Sequence, residues 1–150
     1  MPTTMQDVLA VLTQDEVDYA RAQQLGPEAV PFLDQLVRGP DLNLASKAAY
    51  LASLIESDRS TEVLAAAAAR PEPVVRVAAA SGVRNLKEAQ AERLIDRLQG
   101  DADPGVRKVL VNSAAVFRSP RVVERVRRMA EQDPEPFVRA SAARSVEHMR

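Results

Sequence analysis

"DPEPFVRASAARSV" (residues 133–146) repeats a phrase met twice earlier in the chain. "RPEPVVRVAAASGV" (70–83) and "DADPGVRKVLVNSA" (101–114) carry the same order: an acid, Pro, any residue, Val, Arg, then small or apolar residues. The prolines are Pro73, Pro104 and Pro136, and the arginines are Arg76, Arg107 and Arg139, so the copies are offset by 31 and 32 residues. A near-constant period of this length marks a protein of stacked units, each of which buries its apolar face against its neighbours. One further period upstream lies "GPDLNLASKAAYLA" (39–52). There Asp41, Leu44 and Ala48 match Glu72, Val75 and Ala79, while Leu42 replaces the proline and Ala45 the arginine. It reads as a degenerate fourth copy.

Each copy opens as a helix does. Proline suits the first helical position, where its missing N–H has no partner to lose, and the acid before it suits the cap and the positive end of the helix dipole. Apolar residues then recur at helical spacing: Val75, Ala79, Val83; Val106, Leu110, Ala114; Val138, Ala142, Val146. A second periodic segment precedes each phrase, with Phe32, Leu33, Leu36; Val63, Leu64, Ala67; Leu94, Ile95, Leu98; and Val126, Arg127, Ala130 as its apolar face. Arg127 breaks that pattern and predicts an irregular or slightly rotated last unit. Ser119–Pro120 reads as an N-cap with proline at the first helical position, Asn85 with Glu88 as a capping box, and Gly100 as a helix stop. The unit is therefore helix–turn–helix, with repeats at about 26–56, 57–86, 87–117 and 118–150. Ahead of them, helices are expected at 5–12 and 14–24 with Thr13 and Glu16 as the cap between. Together, residues 1–25 would lid the open end of the stack. One domain, 1–150, is expected.

The phrase Asp/Glu-Pro-x-Val-Arg-x-x-Ala on the second helix of a hairpin resembles HEAT repeats, closest to the short bacterial, phycobilisome-lyase-type kind. The resemblance covers about residues 26–150. It implies an all-α fold, a right-handed α-solenoid of about four hairpins with an N-terminal helical cap, whose second helices line a concave face. Members of the family are mostly scaffolds and binding modules, and a minority act on bilins or on damaged DNA bases.

Composition narrows the classes. Apolar residues make up 46% and charged residues 27%, with net charge −1, a globular composition with no bulk attraction to nucleic acid or anionic membrane. The absence of cysteine removes thiolate chemistry and fits a reducing compartment. No apolar run is long enough to span a bilayer, and no basic leader opens the sequence, so the cytoplasm is the expected location. Arginine outnumbers lysine 17 to 3 and alanine reaches 25 residues, which fits a bacterial, GC-rich origin.

Three groups of residues are candidates for function. The motif arginines Arg76, Arg107 and Arg139 each follow an acid by four residues (Glu72, Asp103, Glu135), spacing that brings them together on a helix surface. They read as a structural ladder in which each arginine bonds an acid or turn carbonyls and registers adjacent units. The second group is the set of non-motif positions on the second helices, which differ from copy to copy: Lys47, Tyr50, Ser81, Arg84, Asn85, Val109, Asn112, Arg144 and His148. If the motif residues pack inward, these face the groove, in rows such as Tyr50, Ser81, Asn112, Arg144; Lys47, Ala78, Val109, Ser141; and Ser53, Arg84, Ala115, Glu147. Tyr and Arg are common interface anchors. The third group is "RSPRVVERVRR", where Arg118, Arg121, Arg125 and Arg128 recur at helical spacing and could meet a phosphate backbone or an acidic protein. Residues 1–70 carry 10 acids and 5 bases, and residues 71–150 carry 11 and 15.

An enzyme is not expected. The sole histidine is His148, and there is no phosphate-cradling glycine loop and no histidine–carboxylate metal spacing. With no Trp, three Phe and two Tyr, the aromatic groove of HEAT-like DNA glycosylases has little to be built from, and the mixed polar rows do not suggest the large apolar groove a bilin lyase would need. No cofactor and no metal are expected. The expected function is non-catalytic binding of another protein or peptide. Nucleic-acid binding through the arginine stripe is the alternative, and a glycosylase or bilin-lyase relative comes third. A monomer is favoured. Phe137, on a last helix with no further unit expected over it, leaves end-to-end self-association, or membership of a longer array, open beside a fold-back onto Pro134 and Pro136.

Overall fold

The computed structural model describes residues 2–150, and among these it has ten α-helices and no strand. They pair as α1 (Met5–Leu12) with α2 (Tyr19–Ala22), α3 (Val30–Arg38) with α4 (Leu42–Leu54), α5 (Asp58–Ala68) with α6 (Pro73–Gly82), α7 (Glu88–Leu98) with α8 (Pro104–Ala114), and α9 (Pro120–Gln132) with α10 (Pro136–His148). None is long and apolar enough to cross a membrane among the described residues. The chain expected as one domain divides into two compact units, Met1–Gly82 and Val83–Arg150. The division follows α6, where a 3₁₀ turn, Val83–Asn85, takes over from the α-helix. In the first unit α3 stacks on α5 and α4 on α6; in the second, α7 stacks on α9 and α8 on α10.

Local chemistry explains the boundaries. The Asp41 side chain accepts from the Leu44 N–H at 3.1 Å, and the Asp103 carboxylate accepts from the Gly105 and Val106 N–H groups. Each satisfies donors that have no partner within the helix. Pro104, Pro120 and Pro136 occupy the opening positions of α8, α9 and α10. The apolar motif positions are the core: Val75, Ala79, Val83, Val106, Leu110, Ala114, Val138, Ala142 and Val146 are all buried. Each large aliphatic side chain so placed contributes roughly 1.5–3 kcal/mol. On α3 the buried face is Val30, Leu33 and Val37, with Phe32 and Leu36 half-buried beside it.

Three sequence expectations need correction. The second N-terminal helix is not 14–24 but the short α2, followed by a 3₁₀ turn, Gln23–Leu25. Its cap is Asp18, which accepts from the Arg21 N–H, whereas the Thr13 hydroxyl donates back to the Leu9 carbonyl at 2.7 Å and closes α1. Asn85 and Glu88 form no capping box, because Asn85 ends the 3₁₀ turn and Lys87 occupies the N-cap of α7. Nor is the last first-helix disturbed by Arg127. At an offset of 31, Ala91, Ile95 and Leu98 align with Val122, Val126 and Met129, and all six are buried. The extra residue of the 32-residue offset enters between Met129 and Asp133, and Arg127 simply faces outward.

The second helices approach closely in both units, through small residues. A Cβ built on Gly82 would lie 2.8 Å from the Cβ of Ser53, so α6 can lie against α4 at this distance only with glycine there. The register equivalent in α10, Ser145, donates its hydroxyl to the Val111 carbonyl of α8 at 2.8 Å.

Candidate functional site

The motif arginines do one thing in common. The Nη1 of Arg76, of Arg107 and of Arg139 donates to the backbone carbonyl six residues earlier, that of Arg70, Asp101 and Asp133, at 2.9, 2.6 and 2.7 Å. Each guanidinium thereby ties its helix to the turn that precedes it. Arg107 has a further role: its Nε and Nη2 donate to the two Asp133 carboxylate oxygens at 2.8 and 3.1 Å, a buried fork-to-fork pair joining α8 to the turn of the next hairpin. Asp103, the acid four residues before, is occupied as the helix cap instead. Burial pushes the Asp133 carboxyl up, but the bonds from Arg107 and from the Glu135 N–H outweigh it and hold the group below the usual range. The same pairing holds the Arg107 guanidinium above its ordinary value. In the first unit, where Ala45 stands in the motif place, the cation comes from the turn. Arg70 donates to the Val37 and Gly39 carbonyls at 3.1 and 2.8 Å and to Glu72 at 2.9 Å.

The non-motif positions separate by unit. Lys47 and Tyr50 are engaged within the first unit. The Lys47 ammonium donates to the Leu12 carbonyl at the end of α1, and the Tyr50 ring meets Tyr19 edge-on with centroids 5.0 Å apart. Burial, and then Tyr50, raise the Tyr19 phenol pKa. Ser53 is buried under Gly82, and Ser81 is half-buried. In the second unit Arg84, Asn112, Arg144, Glu147 and His148 are exposed, with Asn85, Val109 and Ala115 half-buried, whereas Ser141 is buried and accepts from Arg144 at 3.1 Å. Val109, Asn112 and Val116 follow helical spacing along α8 and its C-terminal turn, and Arg144 and His148 do so along the neighbouring α10. Val116 is 54% exposed.

The arginine stripe is interleaved with acids. Arg118 lies in the turn before α9 and donates to the Ala115 and Phe117 carbonyls. Arg125 pairs with Asp96 of α7, Arg121 approaches Glu92 at 4.0 Å, and Arg128 approaches Glu124 at 4.0 Å. The Ser119 hydroxyl, expected to cap α9, donates to Glu92 at 3.0 Å instead. A cleft of about 460 Å³ runs along this seam, lined by Asp96, Gln99, Arg121, Glu124, Arg125 and Arg128.

Residues 91–150 match the family described as HEAT repeats. Over those residues the chain is similar to HEAT repeats. A structure of the complex of CpcE and CpcF of phycocyanin lyase from Nostoc sp. PCC7120 contains a chain 21% identical, with TM-score 0.74, over 94% of this chain and 96% of that one. Human deoxyhypusine hydroxylase, in complex with glycerol, is 16% identical, with TM-score 0.67, and the match spans 91% of this chain and 44% of that one. At these identities the likeness is one of fold, an all-α solenoid. No curated protein sequence matches.

Two residues that matter here escape a reading by composition. Asp133 looks like one more acid near a turn; its role depends on the guanidinium of a residue 26 positions earlier. Val116 falls outside the repeated phrase, and only its place at the end of α8 exposes it. The signal for Asp133 was available, since Gly39, Arg70, Asp101 and Asp133 occupy one place in the repeat, and that place carries each turn contact just described.

Proposed function

We propose that this chain is a non-catalytic scaffold that binds another protein or peptide through the second-helix face of the Val83–Arg150 unit. The observation that carries this reading is Val116, a large apolar side chain more than half exposed just past α8, in a unit where Asn112 one turn earlier and Arg144 and His148, the register equivalents of Asn112 and Val116 on α10, are exposed as well while the motif positions are buried. Motif residues hold the stack and leave these positions to specialise. An exposed apolar residue in a face that also carries a cation and an amide fits a partner that offers an apolar side chain beside a carboxylate. Arg84, exposed in the 3₁₀ turn before α7, is a further cation of the same unit. Lys47 and Tyr50 belong to the first unit's own packing and are left out of the contact surface.

The test is a comparison of wild type with the Val116→Asp/Arg144→Glu variant as baits, in lysate treated with nuclease, with the melting temperature of each measured alongside. Discrete proteins retained by wild type and lost by an equally stable variant are the expected outcome. Equal retention by both, or retention that nuclease removes, overturns the reading. The second result would move the function to the stripe of Arg118, Arg121, Arg125 and Arg128, which ranks lower because Glu92, Asp96 and Glu124 share its surface. A role related to a lyase subunit is the other reading, favoured by the match across nearly the whole of the phycocyanin lyase chain. It too would be met by a protein partner, since that neighbour is itself part of a two-protein complex. Pigment attachment to an acceptor protein on adding this chain would decide for it.

A further inference from the structure

Two bonds hold α8 and α10 side by side and parallel. Arg107, near the start of α8, grips Asp133 in the turn that leads into α10, and Ser145, near the end of α10, bonds the Val111 carbonyl. Residues 32 positions apart therefore stand level on the two helices. On α8 and its C-terminal turn, Lys108, Asn112 and Val116 are exposed, and level with them on α10 are Ala140, Arg144 and His148, exposed as well. One turn before Ala140 comes Phe137, 44% exposed. Helical spacing keeps each row on one side of its helix. The ends of this two-helix face are apolar: Val116 stands level with His148, 11 residues or about three turns beyond Phe137.

The middle of the face is cationic, and its cations differ from those of α9. Arg121, Arg125, Arg127 and Arg128 each approach a carboxylate. Lys108 makes no hydrogen bond or ion pair with any described residue, and Arg144 bonds only the Ser141 hydroxyl. Glu147, the acid next to His148, is taken by Arg150 at 3.7 Å. Lys108 stands level with Ala140, three residues after Phe137, and Arg144 lies seven after it. An occupant has to bring the missing carboxylates to the middle and apolar side chains to both ends. A helix laid along the face does this with its own period, because residues i, i+4, i+7 and i+11 share one side of it. That order of apolar, acid, acid, apolar reads the same in either direction.

Resting on the reading that this face binds a protein, we propose that its occupant is an amphipathic helix of the partner. Two apolar side chains three turns apart meet Phe137 and Val116, and two acids between them meet Lys108 and Arg144. The apolar ends carry the contact, and the charges fix the register of the helix.

The probe is a synthetic helical peptide with Leu at i and i+11 and Glu at i+4 and i+7 on an alanine and glutamine background, titrated calorimetrically into the full chain. Saturable binding is expected. Lys108→Glu/Arg144→Glu, which changes only exposed residues, should weaken it about tenfold or more, and so should Phe137→Ala. Exchanging the peptide's Glu for Lys should restore binding to the Lys108→Glu/Arg144→Glu variant and weaken it to wild type. A peptide of the same composition with Leu and Glu scrambled should bind about tenfold more weakly. Equal binding of the scrambled peptide, or binding indifferent to Lys108→Glu/Arg144→Glu, overturns the helical spacing. Displacement of the peptide by a short duplex DNA at moderate salt would give the face to nucleic acid and overturn it too. If neither peptide binds while the Val116→Asp/Arg144→Glu bait still loses a protein that wild type retains, the helix falls and the binding face stands.

Discussion

The two units register their hairpins with the same type of cation, placed on opposite partners. In the second unit the earlier hairpin supplies the arginine: Arg107 of α8 reaches forward to the carboxylate of Asp133. In the first unit the later hairpin supplies it: Arg70, in the turn before α6, reaches back to the Val37 and Gly39 carbonyls at the end of α3. Gly39, Arg70, Asp101 and Asp133 share one place in the repeat, and so do Ala45, Arg76, Arg107 and Arg139. The loss of the motif arginine at Ala45 is thus matched by the gain of one at the turn place. The repeat needs a guanidinium across this seam more than it needs it on a given helix. The acceptors differ in kind. A carbonyl stays an acceptor at any pH, whereas the Asp133 carboxylate has to be ionised.

The largest effect should come from breaking the charged version. Arg107→Ala leaves Asp133 buried and uncompensated, a situation that costs about 3–5 kcal/mol. Urea unfolding of Arg107→Ala beside Arg70→Ala should show the first far less stable; equal losses would mean that the carbonyl-bound arginine does the same work. The pH dependence follows with its sign. The folded Asp133 pKa lies below its unfolded value, so its contribution is fully present above the ordinary aspartate range of about 3.9 and disappears as pH falls through the lower folded value. Asp133→Asn should therefore lower stability near neutrality and flatten the loss below about pH 4. An unchanged acid limb would show that other carboxylates control it.

The second-helix contacts give a smaller and more local contrast. Ser145 bridges α10 to α8 by a hydrogen bond, while Gly82 lets α6 lie against α4 with no side chain at all. Gly82→Ala gains roughly 1 kcal/mol of helix propensity but drives a methyl into the Ser53 Cβ, and overpacking of this kind costs about 1–3 kcal/mol. The variant should lose stability on balance, and Ser53→Gly in the same chain should restore part of it. A Gly82→Ala chain more stable than wild type would show that α6 shifts without cost.

How far the chain can be read from its sequence follows from the same contrast. The period, the prolines and the apolar spacing are local, and they place the hairpins and the buried Val75, Val106 and Val138. What joins one hairpin to the next is not local. The acid four residues before each arginine was the natural partner by helical spacing, yet Asp103 is drawn off by the N–H groups at the start of α8, and Arg107 finds Asp133 across the turn. Tyr50 carried the signature of an interface anchor, and nothing in its own copy shows that Tyr19 meets it. The Asn85–Glu88 pair has the spacing of a capping box, but the 3₁₀ turn places Asn85 ahead of the cap. Caps and faces are properties of a segment. Pairings depend on how one segment sits against another, which no single segment specifies.

The first helices supply the smallest term. In the second unit α7 meets α9 through Arg125 and Asp96, whose side chains are 24% and 48% exposed. In the first unit the cleft between α3 and α5 is lined by Val30, Pro31, Gln35 and Val63 as well as by Asp34, Arg38, Arg59 and Glu62, and Arg38 bonds Asp34 on its own helix. A partly exposed pair is worth less than about 1 kcal/mol and is screened by salt. Arg125→Ala should therefore lower the melting temperature slightly at low salt and not measurably at high salt, where Arg107→Ala keeps its full effect. If the two arginines lost their contributions together as salt was raised, Arg107 would be behaving as a solvated pair, and the difference drawn between the two seams would fail.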